Sequence, residues 1–115
     1  MPEVKDKMTL NDKVPELTNR EFEEFTKKGV VLIDFFANWC MPCLTMAPVI
    51  DDVSEKFKGK AKFGKVNVED NQEIARKFNV FSIPNFIILK NGKVVENFVG
   101  SVSQEELEGR LKKYL

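Results

Sequence analysis

The sequence predicts an α/β domain in which a mixed sheet of four to five strands is flanked by helices. Three observations carry this prediction. Val30 to Phe36 is an apolar run broken only by Asp34, followed by a helical pattern and then a second apolar strand pattern. A strand–helix–strand order of this kind implies a parallel pair joined by a right-handed crossover. Further on, Asn91-Gly92 separates two strand-like runs, and this dipeptide marks a tight antiparallel hairpin because both of its residues tolerate positive φ.

Taken in order, Met1 to Lys13 is charged throughout and reads as an extension ahead of a domain spanning 14–115. Val14 to Leu17 predicts a short strand, and Pro15 places it at a sheet edge because proline cannot donate to a ladder. Thr18-Asn19-Arg20-Glu21 has the form of a capping box, opening a helix with Phe22 and Phe25 on one face and a stop at Gly29. Val30 to Phe36 then predicts a strand buried on both faces. Leu44, Ala47, Ile50, Val53 and Phe57 suggest the apolar stripe of the next helix, with Pro48 kinking it. Phe63 to Val68 predicts a strand and Glu69 to Phe78 a short helix. Phe86 to Leu89 and Val94 to Val99 form the hairpin arms. Ser103 to Glu106 repeats the capping-box pattern, and Leu107, Leu111 and Leu115 lie along a last helix that Gly109 weakens by up to ~1 kcal/mol.

Composition narrows the function. The chain has 115 residues, a usual single-domain length, with 18 acidic and 18 basic side chains. This balance gives no overall field favouring nucleic acid or an anionic membrane surface. No apolar run approaches the ~18 residues that span a bilayer, and the charged start lacks the apolar core of a signal peptide. The expectation is a cytoplasmic protein. Histidine is absent, which removes His-based metal sites, Cys-His nucleophiles and serine triads.

The chemistry concentrates in Trp39-Cys40-Met41-Pro42-Cys43, which holds both cysteines of the chain. In a reducing compartment, a CxxC pair within a βαβ pattern points to redox work more than to a structural staple. The attacking species in disulfide exchange is the thiolate, and a helix N-terminus favours it through unpaired amides and the dipole. Cys40 sits there if the helix begins near Met41, and Pro42 suits the first turn. Cys40 is therefore expected to be the exposed nucleophile and Cys43 the more buried resolving thiol. A permanent disulfide or two ordinary buried thiols is the bland alternative. Asp34 admits two readings: a desolvated acid of raised pKa that carries a proton, with Lys65 as its charge partner, or a strand-end carboxylate reaching solvent. The Ile83-Pro84 bond is open to both isomers on sequence grounds.

These features in this order resemble the thioredoxin family. The matching strings run from Val31 to Cys43, then Ala47-Pro48, Lys65 to Val68, Ser82-Ile83-Pro84, Lys90-Asn91-Gly92 and Val99-Gly100. The resemblance covers about residues 14 to 115. It implies the thioredoxin fold, and protein disulfide reduction through a mixed disulfide on Cys40 that Cys43 resolves. Asp34, linked to Lys65, would move the proton at Cys43. Pro84 would be a cis-proline beside which the Ile83 backbone pairs with an extended substrate, and Trp39, Pro42 and Gly100 would complete the groove. It further implies recycling by an NADPH-linked thioredoxin reductase and protein disulfides as substrates. No dinucleotide or flavin motif appears in the sequence, so no bound cofactor is expected, no metal is expected either, and a solvent-facing site suits a monomer. Departures from the family pattern are Met41 between the cysteines, Phe36 for a second tryptophan, and Asn85 where threonine is usual. Met41 adds apolar bulk beside the sulfurs. An oxidase or isomerase on the same fold is the second hypothesis, and a non-catalytic peptide- or metal-binding module the third; two cysteines alone cannot complete a tetrahedral zinc site.

Overall fold

The protein is described as a computed structural model covering residues 14–115; the charged start 1–13 lies outside them. The elements are α1 (Phe22–Thr26), β1 (Val30–Phe36), α2 (Met41–Lys56), β2 (Lys62–Asn67), α3 (Gln72–Lys77), β3 (Asn85–Lys90), β4 (Lys93–Val99) and α4 (Gln104–Lys112). The four strands form one sheet in the order β2-β1-β3-β4. β1 runs parallel to β2 and antiparallel to β3, and β3 is antiparallel to β4. The predicted mixed sheet flanked by helices is therefore present.

β1 is central because its residues are apolar on both faces. Val30 and Leu32 join Phe86, Ile88 and Phe98 under Met46, Ile50 and Val53 of α2 and Leu107 and Leu111 of α4. Val31, Ile33 and Phe35 join Ile87 and Leu89 under Phe22 of α1 and Ile74 of α3. Successive strand residues face opposite sides, so Asp34 follows Val30 and Leu32 onto the face covered by α2. Lys65 follows Phe63 onto the same face of β2 and stands opposite Asp34 in the register.

Several expectations are corrected. The edge strand at 14–17 reduces to a single parallel bridge, Glu16 to Lys65, held by Leu17 N–H to the Lys65 carbonyl and Lys65 N–H to the Pro15 carbonyl. At Thr18 only half of the capping box forms. The Glu21 carboxylate accepts from the Thr18 amide at 2.9 Å and its hydroxyl at 3.1 Å, but the Thr18 hydroxyl accepts from Arg20, so a turn precedes α1. On α2 the buried residues are Cys43, Met46, Ile50 and Val53, while Leu44 is exposed. A strict spacing of three drifts around a helix of 3.6 residues per turn, whereas the alternating steps from 43 to 53 stay on one face. Pro48 lies inside α2, as expected. Leu115 lies beyond α4 and is exposed, because the helix stops at Lys112.

The hairpin and the last helix follow their signals. Asn91 and Gly92 both have positive φ, 52° and 86°, as a type I′ turn requires. The Ser103 side chain accepts from the Glu106 amide at 3.1 Å and starts α4.

Candidate active site

β1 ends at Phe36, and a tight turn, closed by Cys40 N–H to the Ala37 carbonyl at 3.2 Å, delivers the chain to α2. Cys40 is the N-cap, with extended backbone (φ −87°, ψ 106°), and its sulfur accepts the amide of Cys43 at 3.2 Å. Sulfur thus occupies the place that a Ser or Asp oxygen takes at an ordinary helix start. Met41 and Pro42 are the first helical residues, where the missing proline N–H loses no intrahelical bond. Cys40 and Cys43 are joined as a disulfide, with Cα atoms 5.2 Å apart.

The expected difference in exposure is not found. Cys40 is 3% exposed and Cys43 4%, both packed with Ala37, Phe36, Val68 and Ile83. The asymmetry lies instead in the backbone: one sulfur caps the helix and receives an amide, and the other belongs to the first turn.

Asp34 is buried within β1, with 4% exposure, so the reading of a solvent-reaching carboxylate fails. Its Oδ1 has no hydrogen-bond partner among the described residues. Burial pushes its pKa up from 3.8 to about 7, and the attraction of Lys65 offsets only part of this. The group therefore changes charge near neutral pH. Lys65 is also buried, with Nζ 5.7 Å from the centre of the Phe36 ring.

The second wall comes from the start of β3. The Ile83-Pro84 peptide is cis, and Ile83 packs on the cysteine cluster. The backbone of Ile83 makes no hydrogen bond with the main chain of any described residue. Gly100, with φ 96°, donates its amide to the Pro84 carbonyl at 2.8 Å, so the end of β4 is tied to the proline. Trp39, Met41 and Pro42 are exposed around the disulfide.

Two contributors were not foreseen. The Trp39 indole N–H donates to Glu69 Oε2 at 2.6 Å; nothing in the sequence links positions thirty apart in two loops. Asn85 is buried, and its side-chain amide donates to Asn97 Oδ1 at 2.8 Å and to the Phe98 carbonyl at 3.3 Å. Its only signal was its departure from threonine after the proline.

Comparison with known proteins gives a consistent result. The thioredoxin family model matches residues 13–113. The chain is similar to the thioredoxin of Bacillus subtilis (strain 168), at 43% identity over 98 residues, covering 85% of this chain and 94% of that protein. It is 41% identical to the thioredoxin of Listeria monocytogenes over 102 residues, covering 89% and 99% of the two chains. With the thioredoxin of Staphylococcus aureus (strain Mu50) the identity is 37%, covering 89% and 98%.

Proposed function

The chain belongs to the thioredoxin family, and from that premise we propose how its residues reduce protein disulfides. Thiol–disulfide oxidoreduction is the family's activity, and this chain has it. The observation that carries the assignment of roles is Cys40 Sγ at the N-cap of α2, accepting the Cys43 amide. This amide and the helix dipole favour negative charge on that sulfur.

In the dithiol form, the Cys40 thiolate attacks one sulfur of the substrate disulfide, forming a mixed disulfide and releasing the other sulfur as thiolate. Cys43 then loses its proton and attacks Cys40 Sγ. The bond to the substrate breaks, the second substrate thiolate leaves, and the Cys40–Cys43 disulfide is restored. Asp34, beneath α2 and titrating near neutrality, receives the Cys43 proton. Lys65 holds the ionised carboxylate in check as its charge partner. An extended substrate segment pairs with the backbone of Ile83 beside Pro84, a short form of strand addition. Trp39, Met41, Pro42 and Gly100 bound the groove around it.

Recycling by a thioredoxin reductase is the family's general behaviour; its NADPH-linked form is our reading for this chain. The exposed rim of the site at Trp39, Met41 and Pro42 suits a monomer, with 14–115 as its working domain. No helix among the described residues is long and apolar enough to cross a membrane, and we place the reaction in the cytoplasm.

The test is insulin reduction with a thioredoxin reductase and NADPH. Cys40→Ser abolishes turnover, and Cys43→Ser accumulates the mixed disulfide, seen as a substrate adduct by mass spectrometry. Full activity in Cys40→Ser would sink the assignment.

A further inference from the structure

Met41 is the first residue of α2, next to the capping sulfur, and it is 68% exposed. The other described sulfurs are shielded. Met46 is 2% exposed on the buried face of the same helix, and the cysteine sulfurs are buried and bonded to each other. A thioether needs no deprotonation to react with a peroxide, so access governs its rate. In the disulfide state, Met41 is thus the one open sulfur among the described residues.

We propose that Met41 is a site of reversible oxidation by hydroperoxides and that its sulfoxide form weakens the docking of protein disulfides. The step balances simply. The Met41 sulfur lone pair attacks one peroxide oxygen, the O–O bond breaks, and an S–O bond forms. The proton on the attacked oxygen passes to the other oxygen, which leaves as water, or as an alcohol from an organic hydroperoxide. Sulfur is oxidised by two electrons, and the peroxide is reduced by two.

The consequence follows from the surroundings. Trp39, Phe81 and Val99 are large apolar side chains left exposed, at 65%, 88% and 55%, on the segments that flank the disulfide and Ile83-Pro84. Met41 adds a flexible apolar side chain to this surface, suited to varied partners. A sulfoxide replaces it with a polar group whose oxygen must be stripped of water when a substrate docks. The chemistry of Met41 is independent of the proposed function; its effect on docking rests on that reading.

The test uses the full chain in its disulfide form, treated with hydrogen peroxide and then freed of it. Peptide mass spectrometry follows oxygen gain at Met41 and Met46 separately. Insulin reduction with dithiothreitol as electron source gives kcat and KM. Met41 is expected to oxidise well before Met46, and KM to rise roughly fivefold with little change in kcat. A methionine sulfoxide reductase reverses the rise. In Met41→Leu, whatever its starting KM, peroxide leaves that value unmoved. Oxidation of Met41 no faster than Met46, or an unchanged KM in fully oxidised protein, overturns the proposal. If untreated protein fails to reduce insulin, the proposed function falls, and the mass measurement still decides whether Met41 is the open site.

Discussion

Asp34 shows how one residue can be legible in sequence and still incomplete. A lone acid in an apolar strand signals a cost, because a charge there must be paired or neutralised. Which face it occupies, and whether water reaches it, depends on the layers above the sheet, and only the fold supplies these. Its pKa of about 7 against 3.8 sets a pH window for stability. The folded state holds the proton more tightly than the unfolded chain. Its contribution is fully present below pH 3.8, falls as pH rises, and is lost once pH passes about 7. Asp34→Asn is therefore expected to stabilise the protein by about 2–4 kcal/mol at pH 8, with the gain vanishing towards pH 4. Urea unfolding across this range measures it. The cysteines were legible in their spacing and position, but their equal burial was not. Both pack against Ala37, Phe36, Val68 and Ile83, and the contacts to Val68 and Ile83 come from chain segments distant in sequence.

Elements whose signals are local came through best. Asn91-Gly92 and Ser103 each satisfy their own neighbourhood, so hairpin and helix start followed directly. The start of the first helix did not, because Thr18 hydrogen-bonds into a turn that competes with helical amides, and α1 begins only at Phe22. The stripe of α2 came through in part: Ile50, Val53 and Phe57 are buried as expected, while Leu44 is exposed and Cys43 and Met46 take the buried places in the first turns. In α4, Gly109 had no evident purpose in sequence, and the structure gives it none in packing. A β-carbon at that position meets nothing within 4 Å, and its φ is not positive. Gly109→Ala should raise stability by about 0.5–1 kcal/mol through helix propensity alone, read as a higher thermal midpoint with unchanged insulin reduction.

At the scale of the molecule, β1 belongs to both buried clusters, so neither layer of helices can come away without disrupting the strand that supports the other. We expect one cooperative unfolding transition. Trp39 is the only tryptophan, so its fluorescence reports the site while circular dichroism reports the helices; the two midpoints should coincide. Separated midpoints would show that the site loosens before the domain. The antiparallel pairing of β1 with β3 also determines how the site is spaced. Val31 faces Leu89, Asp34 faces Phe86 and Phe35 faces Asn85, so each step along β1 towards the cysteines is a step along β3 towards Pro84. The gap between sulfur and platform is therefore a residue count, kept in the ladder rather than in the groove. Residue types at 41 or 85 can change and leave that count intact. Inserting one residue between Asp34 and Phe36 would shift the chain by about 3.3 Å and turn its side chains to the opposite face, so length here is conserved by geometry even where chemistry is free to vary.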